Sequence, residues 1–152
     1  MKVTLEHVQA KQAEIAVLIE RLVARPAPSV THLVLENIDI ELREGERYAG
    51  ATLNDDGTIK HHVVLLAARP EADVNWEAAK TWASAVGGAL PDRQEQALLF
   101  ANCKAVLPQR WCWSNEANGS SYAWYCYFNY GCQYYIVTSC DGFAVAVRRL
   151  TP

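Results

Sequence analysis

The sequence predicts an α+β domain with two helices on a small twisted antiparallel sheet, preceded by an N-terminal helix. Three observations support this prediction. A heptad pattern of apolar residues opens the chain, strand and turn signals then alternate with two capped helices, and an aromatic-rich segment fills the last third. The chain has 152 residues, of which 51% are hydrophobic, and this suits one domain with a short appendage.

The first 28 residues are predicted to contain a helix over residues 4–24 that ends before Pro26 and Pro28. Apolar residues recur there in steps of three and four, as in a coiled coil. One core position of the heptad holds Leu5, Gln12 and Ile19, and the other holds Val8, Ile15 and Leu22. The pattern fits a helix packed on its own domain or a short oligomerising coil. The terminal, proline-separated position favours the coil.

Residues 29–47 are predicted to form a β linker to the main domain, which spans residues 48–152. Apolar residues alternate with polar ones over residues 30–42, with a change of phase at Glu36-Asn37. This fits one strand with a bulge or two short strands. Glu44-Gly45 is expected to act as a hinge between the linker and the domain.

The main domain is expected to open with two strands, residues 48–53 and 58–68, joined by a turn at residues 54–57. A helix over residues 76–86 follows, capped by Asn75 and ended by Gly87-Gly88. Its spacing predicts a buried stripe of Ala79, Trp82, Ala83 and Val86.

A second helix is predicted over residues 92–104. Asp92 and Glu95 have the spacing of a capping box, with aspartate in place of the usual serine or threonine. The residues expected to face the core are Ala97, Leu98, Ala101 and Phe100.

The segment from residue 111 to residue 135 has an unusual composition, since ten of its 25 residues are aromatic. Between Trp111 and Asp141 the only charged residues are Glu116 and Asp141 itself. A last strand with ordinary alternation is predicted over residues 143–150. Trp111, Trp113, Trp124 and Phe128 are candidates for a buried aromatic core, and a core alone is one interpretation of the segment.

A core alone does not explain the tyrosines. Consecutive strand residues point to opposite faces, so Tyr134 and Tyr135 cannot both lie inside one small core. Exposed tyrosine with serine, asparagine and glycine is the composition of an antibody-like binding surface. Exposed aromatic patches usually mark interaction sites, so a ligand-binding surface is predicted.

Alternation also predicts which residues form this surface. If Trp113, Trp124 and Phe128 all face inward, their neighbours in sequence face outward. The predicted ligand-binding residues are Cys112, Asn115, Tyr122, Tyr125, Tyr127, Asn129, Tyr130, Cys132, Tyr134, Tyr135, Ile136, Thr138 and Cys140.

Four short motifs occur in order over residues 89–150, within a resemblance that covers residues 48–150: ALPDRQEQALLFAN, WCWSNEANGSSYAW, FNYGCQ and AVAVRRL. In this order they resemble the C-terminal domain of many bacterial and prophage proteins that share the fold of C-type lectins and formylglycine-generating enzymes. The matching positions are Leu90, Pro91, Glu95, Leu98, Leu99, Trp111, Trp113, Ser114, Ala123, Trp124, Phe128, Gly131, Val147, Arg148 and Arg149. The resemblance implies a C-type-lectin-like scaffold without catalysis.

The chain is also similar to variable proteins of diversity-generating retroelements, including the phage major tropism determinant. In those proteins mutation at adenines changes surface codons, and tryptophan, glutamine, glutamate, lysine and methionine cannot arise from the asparagine codons most often affected. Residues 125–131 and 134–140 contain only reachable types, whereas Trp113, Trp124 and Gln133 are unreachable and occupy framework-like positions. The resemblance implies a hypervariable receptor-binding protein at a phage or prophage tail tip, with a protein or glycan receptor on a cell surface.

Other functions remain open at this point. A fixed structural tail or assembly protein would also use an aromatic face. An oxidase resembling formylglycine-generating enzymes would need a reactive pair such as Cys126 and Cys132, yet no basic residue lies near them in sequence. A calcium-dependent lectin would need more carboxylates than Glu116 and Asp141 supply.

Composition argues against several further classes. The net charge of -3 and the lack of a basic stripe do not suit nucleic-acid binding. No apolar run reaches the length of about 20 residues that a membrane span needs. The N-terminus lacks the features of a signal peptide, so synthesis in the cytoplasm is expected. The resemblance to phage and prophage tail proteins implies a location on the virion tail and a trimer of the N-terminal coil. The five cysteines are odd in number, form no CxxC pair and predict neither disulfides nor a metal or cofactor site.

Overall fold

We analysed a computed structural model of the chain, which describes residues 4–23, 31–35 and 38–152. The described part is α+β, as predicted. Its helices and strands, in chain order, are α1 (Leu5–Val23), β1 (Thr31–Leu35), β2 (Ile38–Leu42), β3 (Arg47–Leu53), β4 (Ile59–Leu65), α2 (Trp76–Ala85), α3 (Arg93–Cys103), β5 (Trp111–Ala117), β6 (Tyr122–Tyr127), β7 (Cys132–Val137) and β8 (Val147–Leu150).

Helix α1 agrees with the predicted N-terminal helix to within one residue at each end. Its apolar side chains are exposed, with Leu5 at 73% and Ile15 at 53%. The predicted stop at Pro26 and Pro28 and the boundary after residue 28 lie outside the described residues. The heptad assignment stays a prediction.

Strands β1 and β2 form an antiparallel hairpin, so the alternative of two short strands is confirmed. The predicted change of phase at Glu36-Asn37 lies outside the described residues. Ile40 and Leu42 are buried with Val64 of β4, which attaches β2 to the main domain. Gly45 has a φ of 77°, and the preceding Arg43 C=O accepts from the Glu46 N–H at 3.0 Å. The predicted hinge therefore contains a tight turn held by backbone hydrogen bonding.

The first of two three-stranded sheets in the described chain has the order β3-β4-β8 and is antiparallel. Its first turn is confirmed, since the Asn54 N–H donates to the Thr58 carbonyl at 2.9 Å. The predicted alternation over residues 143–150 is wrong, because Ala144, Val145, Ala146 and Val147 are all buried and only Val147–Leu150 forms a strand. Core clusters on both sides of this segment leave no solvent-facing position.

Helix α2 begins and ends close to the predicted bounds. The Asn75 side chain accepts from the Ala78 N–H at 3.0 Å, and Gly87 follows the C-cap with a φ of 81°. Ala79 and Ala83 are buried, while Trp82 and Val86 are half-buried.

Helix α3 has the predicted capping box, in which Asp92 and Glu95 each accept from the other's backbone N–H. Its predicted core face is wrong in part, since Ala97 and Ala101 are exposed. Glu95, Gln96, Leu99 and Cys103 are buried instead. The helix is rotated from the expected orientation because Glu95 bonds to Arg149 and His61, and the Gln96 side chain donates to the Cys112 carbonyl, inside the domain.

The second sheet has the order β5-β6-β7 and is also antiparallel. The expectation of one small sheet is therefore wrong: the aromatic-rich segment forms a sheet of its own. One core cluster, with Leu99 of α3, contains Cys126, and the other, with Ala79 and Ala83 of α2, contains Ala123. Cys126 and Ala123 point to opposite faces of β6 and pack into different clusters. Both faces of this sheet are therefore partly covered.

Candidate binding surface

The β5-β6-β7 sheet presents aromatic residues on two opposite faces. Side chains of paired residues in antiparallel strands lie on the same face, and consecutive residues alternate. Trp113 pairs with Tyr125, and Tyr125 pairs with Tyr134, so these three share one face. Trp124 pairs with Tyr135, and they share the other face. We call these the Trp113 face and the Trp124 face.

This arrangement corrects the predicted position of Cys112. The side chain is fully buried beside its strand partner Cys126, in the cluster that contains Phe128 and Leu99. It cannot contact a ligand. The alternation argument failed because it assigned one inner face to Trp113, Trp124 and Phe128, whereas Trp113 packs on the α2 side of the sheet and Phe128 on the α3 side.

On the Trp113 face, aromatic rings form a connected row that runs from the core to solvent. Trp113 is fully buried, and Trp111 lies 5.0 Å from it and 5.1 Å from Tyr125, centroid to centroid. Tyr134 continues the row at 6.3 Å from Tyr125. The outer members are exposed, so the buried rings support the solvent-facing ones.

Near the β6–β7 turn, Tyr127 stacks on Tyr130 with a centroid distance of 5.6 Å and an interplanar angle of 8°. Tyr130 is 78% exposed, and Tyr134 is 57% exposed. Together with the row described above, these rings form a surface that we call the tyrosine patch, made of Tyr125, Tyr127, Tyr130 and Tyr134.

On the Trp124 face, Arg93 of α3 covers part of an aromatic group. Its guanidinium lies 3.7 Å from the Trp124 ring centroid. Tyr135 contacts Trp124 edge-on at 5.3 Å and Tyr122 edge-on at 5.9 Å. Trp124 is half-buried, rather than largely buried as expected. We call this group, with Tyr122, Trp124, Tyr135 and Arg93, the tryptophan patch.

Gln133 holds Arg93 in place over the Trp124 ring. The Arg93 Nε donates to Gln133 Oε1 at 3.1 Å, and Gln133 Nε2 donates to the Arg93 carbonyl at 2.6 Å. The Arg93 N–H also donates to a Glu116 carboxylate oxygen at 2.6 Å. The sequence predicts a framework position for Gln133 but gives no sign of Arg93. The place of an arginine in a helix does not indicate which strand its side chain contacts.

The remaining predicted site residues are half-buried, as Tyr125 and Tyr127 are, apart from Asn115, which is exposed. Ile136 and Cys140 are half-buried against the cluster that contains Trp113. The Thr138 backbone accepts from the Trp76 N–H at 3.1 Å, which ties the end of β7 to α2. Asn129 and Cys132 are half-buried, and Asn129 Oδ1 is buried without a partner among the described residues.

Two glycines let the backbone lie directly against aromatic rings beside the patches. A Cβ added at Gly142 would lie 2.1 Å from the Trp111 ring, and one added at Gly131 would lie 2.6 Å from the Phe100 ring. Gly131 also has a φ of 78°, which favours glycine. These glycines are required by ring packing, a role that sequence spacing alone did not indicate.

Hydrogen bonds from two indoles anchor β5 and the loop before α2 to each other. The Trp76 Nε1 donates to the Ser114 carbonyl at 2.7 Å, and the Trp113 Nε1 donates to the Val74 carbonyl at 2.9 Å. Both buried indole donors are therefore satisfied, which keeps the scaffold beneath the tyrosine patch rigid.

The two buried thiols of this sheet, Cys112 and Cys126, are poorly suited to nucleophilic chemistry. Burial raises the pKa of Cys126 to about 12, with a further contribution from nearby Cys132, and burial also raises the pKa of Cys112. Reactive cysteines usually have a lowered pKa in an electropositive environment. All five cysteines, which lie within the described residues, are free thiols.

The described chain offers no other chemical group that would dominate the site. No cluster of three or more His, Cys, Asp or Glu residues able to hold a metal ion occurs in residues 4–23, 31–35 and 38–152. None of the helices described for this chain is long and apolar enough to span a membrane. The groups described at the two patches are aromatic rings, tyrosine hydroxyls and the Arg93 guanidinium. Neither a protein-family model nor a curated protein matches the chain.

Proposed function

We propose that this chain is a receptor-binding protein that displays an aromatic surface on a C-type-lectin-like scaffold and performs no catalysis. The observation that carries the proposal is the exposure of tyrosines on one small sheet. Tyr122 is 44%, Tyr130 78%, Tyr134 57% and Tyr135 54% exposed. Large exposed aromatic groups mark interaction sites, and tyrosine gives contact area at a low entropic cost.

The lectin-like scaffold is part of this proposal. Its support is the order of elements in the main domain: two strands, two helices, a separate three-stranded sheet and a last strand that returns to the first sheet. The last strand pairs with β4 from His62↔Leu150 to Leu65↔Val147. This closure brings the two ends of the domain together and leaves the aromatic sheet as a separate display element.

We further propose that the surface is hypervariable and belongs to a phage or prophage tail-tip adhesin diversified by a retroelement. Exposed Tyr130 and Tyr134 are types reachable by adenine mutation, whereas fully buried Trp113 is unreachable. The test is the nucleotide sequence around the gene. A near-copy of its 3′ end beside a reverse transcriptase gene, with adenines at the variable codons, is the expected result, and its absence would overturn hypervariability.

Oligomerisation through α1 completes the proposal. Four heptad positions of α1 are exposed: Leu5 at 73%, Val8 at 42%, Ile15 at 53% and Ile19 at 54%. A trimeric coil would bury this apolar seam and would present three copies of the aromatic surface. Several weak contacts made together would then bind a cell surface more tightly than one.

Binding of the labelled full chain to a panel of bacterial cells and to a glycan array tests the receptor-binding function. We expect saturable binding to a subset of cells or glycans. Tyr134→Ala and Tyr135→Ala, tested separately, assign the contact to the Trp113 face or to the Trp124 face. The contradicting result is that the wild-type chain binds every cell and glycan no more strongly than the two variants do. A fixed assembly role would then replace receptor binding.

A further inference from the structure

The two edges of the β5-β6-β7 sheet differ in their backbone hydrogen bonds to other segments. At the β5 edge, the Trp113 N–H donates to the Phe143 carbonyl at 3.0 Å and the Asn115 N–H donates to the Pro91 carbonyl at 2.9 Å. At the β7 edge, among the described residues, the backbone bonds beyond the pairing with β6 lie at its C-terminal end: the Cys140 N–H donates to the Val137 carbonyl at 3.1 Å, and the Trp76 N–H donates to the Thr138 carbonyl at 3.1 Å. In the described part of the chain, other segments bond to the β5 edge, whereas most of the β7 edge has no such backbone partner.

The register identifies the open backbone groups of β7. The Thr138 N–H donates to the Ser121 carbonyl at 2.9 Å, one step beyond the pair Tyr122↔Val137. Antiparallel strands alternate between hydrogen-bonded and non-bonded pairs. Ile136 and Tyr134, which lie two and four residues before Thr138, therefore bond to β6. The N–H groups of Gln133, Tyr135 and Val137 point away from β6. The carbonyls of Gln133 and Tyr135 point the same way.

Among the described residues, this edge has few of the usual protections against pairing, and the charge beside it is Arg93, whose Nε donates to Gln133 Oε1 at 3.1 Å. Exposed edge strands are commonly blocked by lysine, proline, bulges or a covering loop. No charged residue or proline occurs from Ala117 to Cys140. The pairing of β6 with β7 is continuous from Tyr122↔Val137 to Tyr127↔Cys132, without a register shift. The side chains of Tyr134 and Tyr135 flank the edge on its two faces.

We infer that the partner docks through an extended polypeptide segment that adds to β7 as a fourth strand. This inference rests on the proposed receptor-binding function and names its ligand class. Outward groups at Gln133, Tyr135 and Val137 repeat every second residue, at about 6.8 Å. Another extended backbone repeats its donors and acceptors at the same spacing, whereas hydroxyl groups of a glycan do not. Alternate side chains of the added segment contact Tyr134 on one face of the edge and Tyr135 on the other, where the Arg93 guanidinium lies over Trp124.

Hydrogen exchange of the intact chain tests the inference without any substitution. A displayed library of random twelve-residue peptides is selected on the full chain, and the selected peptides are synthesised as probes. In the free chain the Tyr134 and Ile136 amides exchange slowly, while the Gln133, Tyr135 and Val137 amides exchange fast. A bound peptide slows exchange of the latter three at least about tenfold if strand addition occurs. Unchanged exchange with a saturating peptide would overturn the inference.

Substitutions separate the backbone contribution from the side-chain contribution. Tyr135→Ala removes the ring and keeps the N–H, whereas Tyr135→Pro removes both. The proline variant should bind a selected peptide about five- to tenfold more weakly than the alanine variant, because one backbone hydrogen bond is lost. Val137→Pro and Val137→Thr form a second matched pair. Edge positions whose N–H faces solvent accept proline, so the variants should fold.

The outcomes distinguish this inference from the proposed function. Suppose that the full chain binds cells or glycans but that no peptide is selected, or that the alanine and proline variants bind a peptide equally well. Either result overturns strand addition and leaves the proposed receptor-binding surface intact. Self-association of the chain that Tyr135→Pro abolishes and Tyr135→Ala does not would make a second copy the occupant, and would also overturn it. Failure to bind cells, glycans and peptides overturns both proposals.

Discussion

Arg93 lies over the ring of Trp124, with its guanidinium 3.7 Å from the ring centroid, and Gln133 holds it there through two hydrogen bonds. This contact joins the first turn of α3 to the middle of the aromatic sheet. It covers one side of a tryptophan that would otherwise be open to solvent, and it places a positive charge in a segment that has almost none.

Arg93→Ala should uncover Trp124 with little effect on the fold. Cation–π contacts at partly exposed sites contribute about 0.5–1 kcal/mol, so the free energy of unfolding should fall by no more than that. Quenching of tryptophan fluorescence by acrylamide should increase, and the increase should vanish in Arg93→Ala/Trp124→Phe. An unchanged quenching profile in the single variant would contradict the covering role of Arg93.

Glu95 should be the residue whose charge matters most for stability. It is fully buried, and its carboxylate accepts from Arg149 Nε at 2.6 Å, from Arg149 Nη2 at 2.7 Å and from His61 Nε2 at 2.8 Å. Breaking a buried pair by removing one partner costs about 3–5 kcal/mol, so Glu95→Gln should lower the free energy of unfolding by that order. Glu77→Gln is the control, because its pair with Lys80 is exposed. Equal urea midpoints for the two variants would refute this role.

Stability should fall in acid, and Glu95 should account for part of the fall. Burial alone would raise the pKa of Glu95, but hydrogen bonds from Arg149 and the Asp92 N–H, with His61, outweigh it, and the pKa lies below 4.5. A carboxyl with a lowered folded-state pKa stabilises the fold above its unfolded pKa, and the effect is lost as pH falls through the folded-state value. Urea unfolding between pH 7 and pH 2 should therefore show a decline below about pH 4.5. The decline should be shallower in Glu95→Gln, and parallel curves would contradict the assignment.

The position of Trp111 should depend on the absence of a side chain at residue 142. A Cβ there would come within 2.1 Å of the ring, and no positive φ favours glycine at this position. Gly142→Ala should destabilise the domain by about 1–3 kcal/mol through overpacking. The near-ultraviolet circular dichroism of the aromatic row should also change. Ser120→Ala, at an exposed position, is the control. Identical spectra and stability in both variants would show that the ring has room to move.

The oligomer should depend on the heptad seam of α1. Ile15 belongs to the seam and Val17 does not, yet their exposures are similar at 53% and 49%. Ile15→Glu should dissociate the assembly in light scattering, whereas Val17→Glu should leave its mass unchanged, since charges are tolerated outside the seam. A monomeric wild-type chain, or equal effects of the two substitutions, would exclude the coil.

Local signals in the sequence predicted most of the elements correctly. The turn at residues 54–57, the Asn75 cap and the capping box of Asp92 and Glu95 depend on residues close together in the chain, and all three occur as expected. Such signals are reliable because the hydrogen bonds that they predict close within four residues.

The candidate site was harder to predict because its geometry depends on contacts between distant segments. Alternation correctly excluded a core that holds both Tyr134 and Tyr135, but it could not reveal that the sheet is partly covered on both faces. Cys112 was therefore assigned to the wrong side. The pairing of Arg93 with Gln133 spans 40 residues, and nothing in the local pattern of α3 indicates it.

The central claim is that different aromatic residues carry binding and folding. Tyr130 and Tyr134 are exposed, and Trp113 is fully buried. The most direct measurement compares binding to the recognised cells and thermal unfolding for the wild type, Tyr130→Ala/Tyr134→Ala and Trp113→Ala. The tyrosine variant should lose binding, at about 2 kcal/mol or more, and melt within a few degrees of the wild type. Trp113→Ala should lose about 3–5 kcal/mol of stability. A tyrosine variant that unfolds, or that binds like the wild type, would contradict the claim.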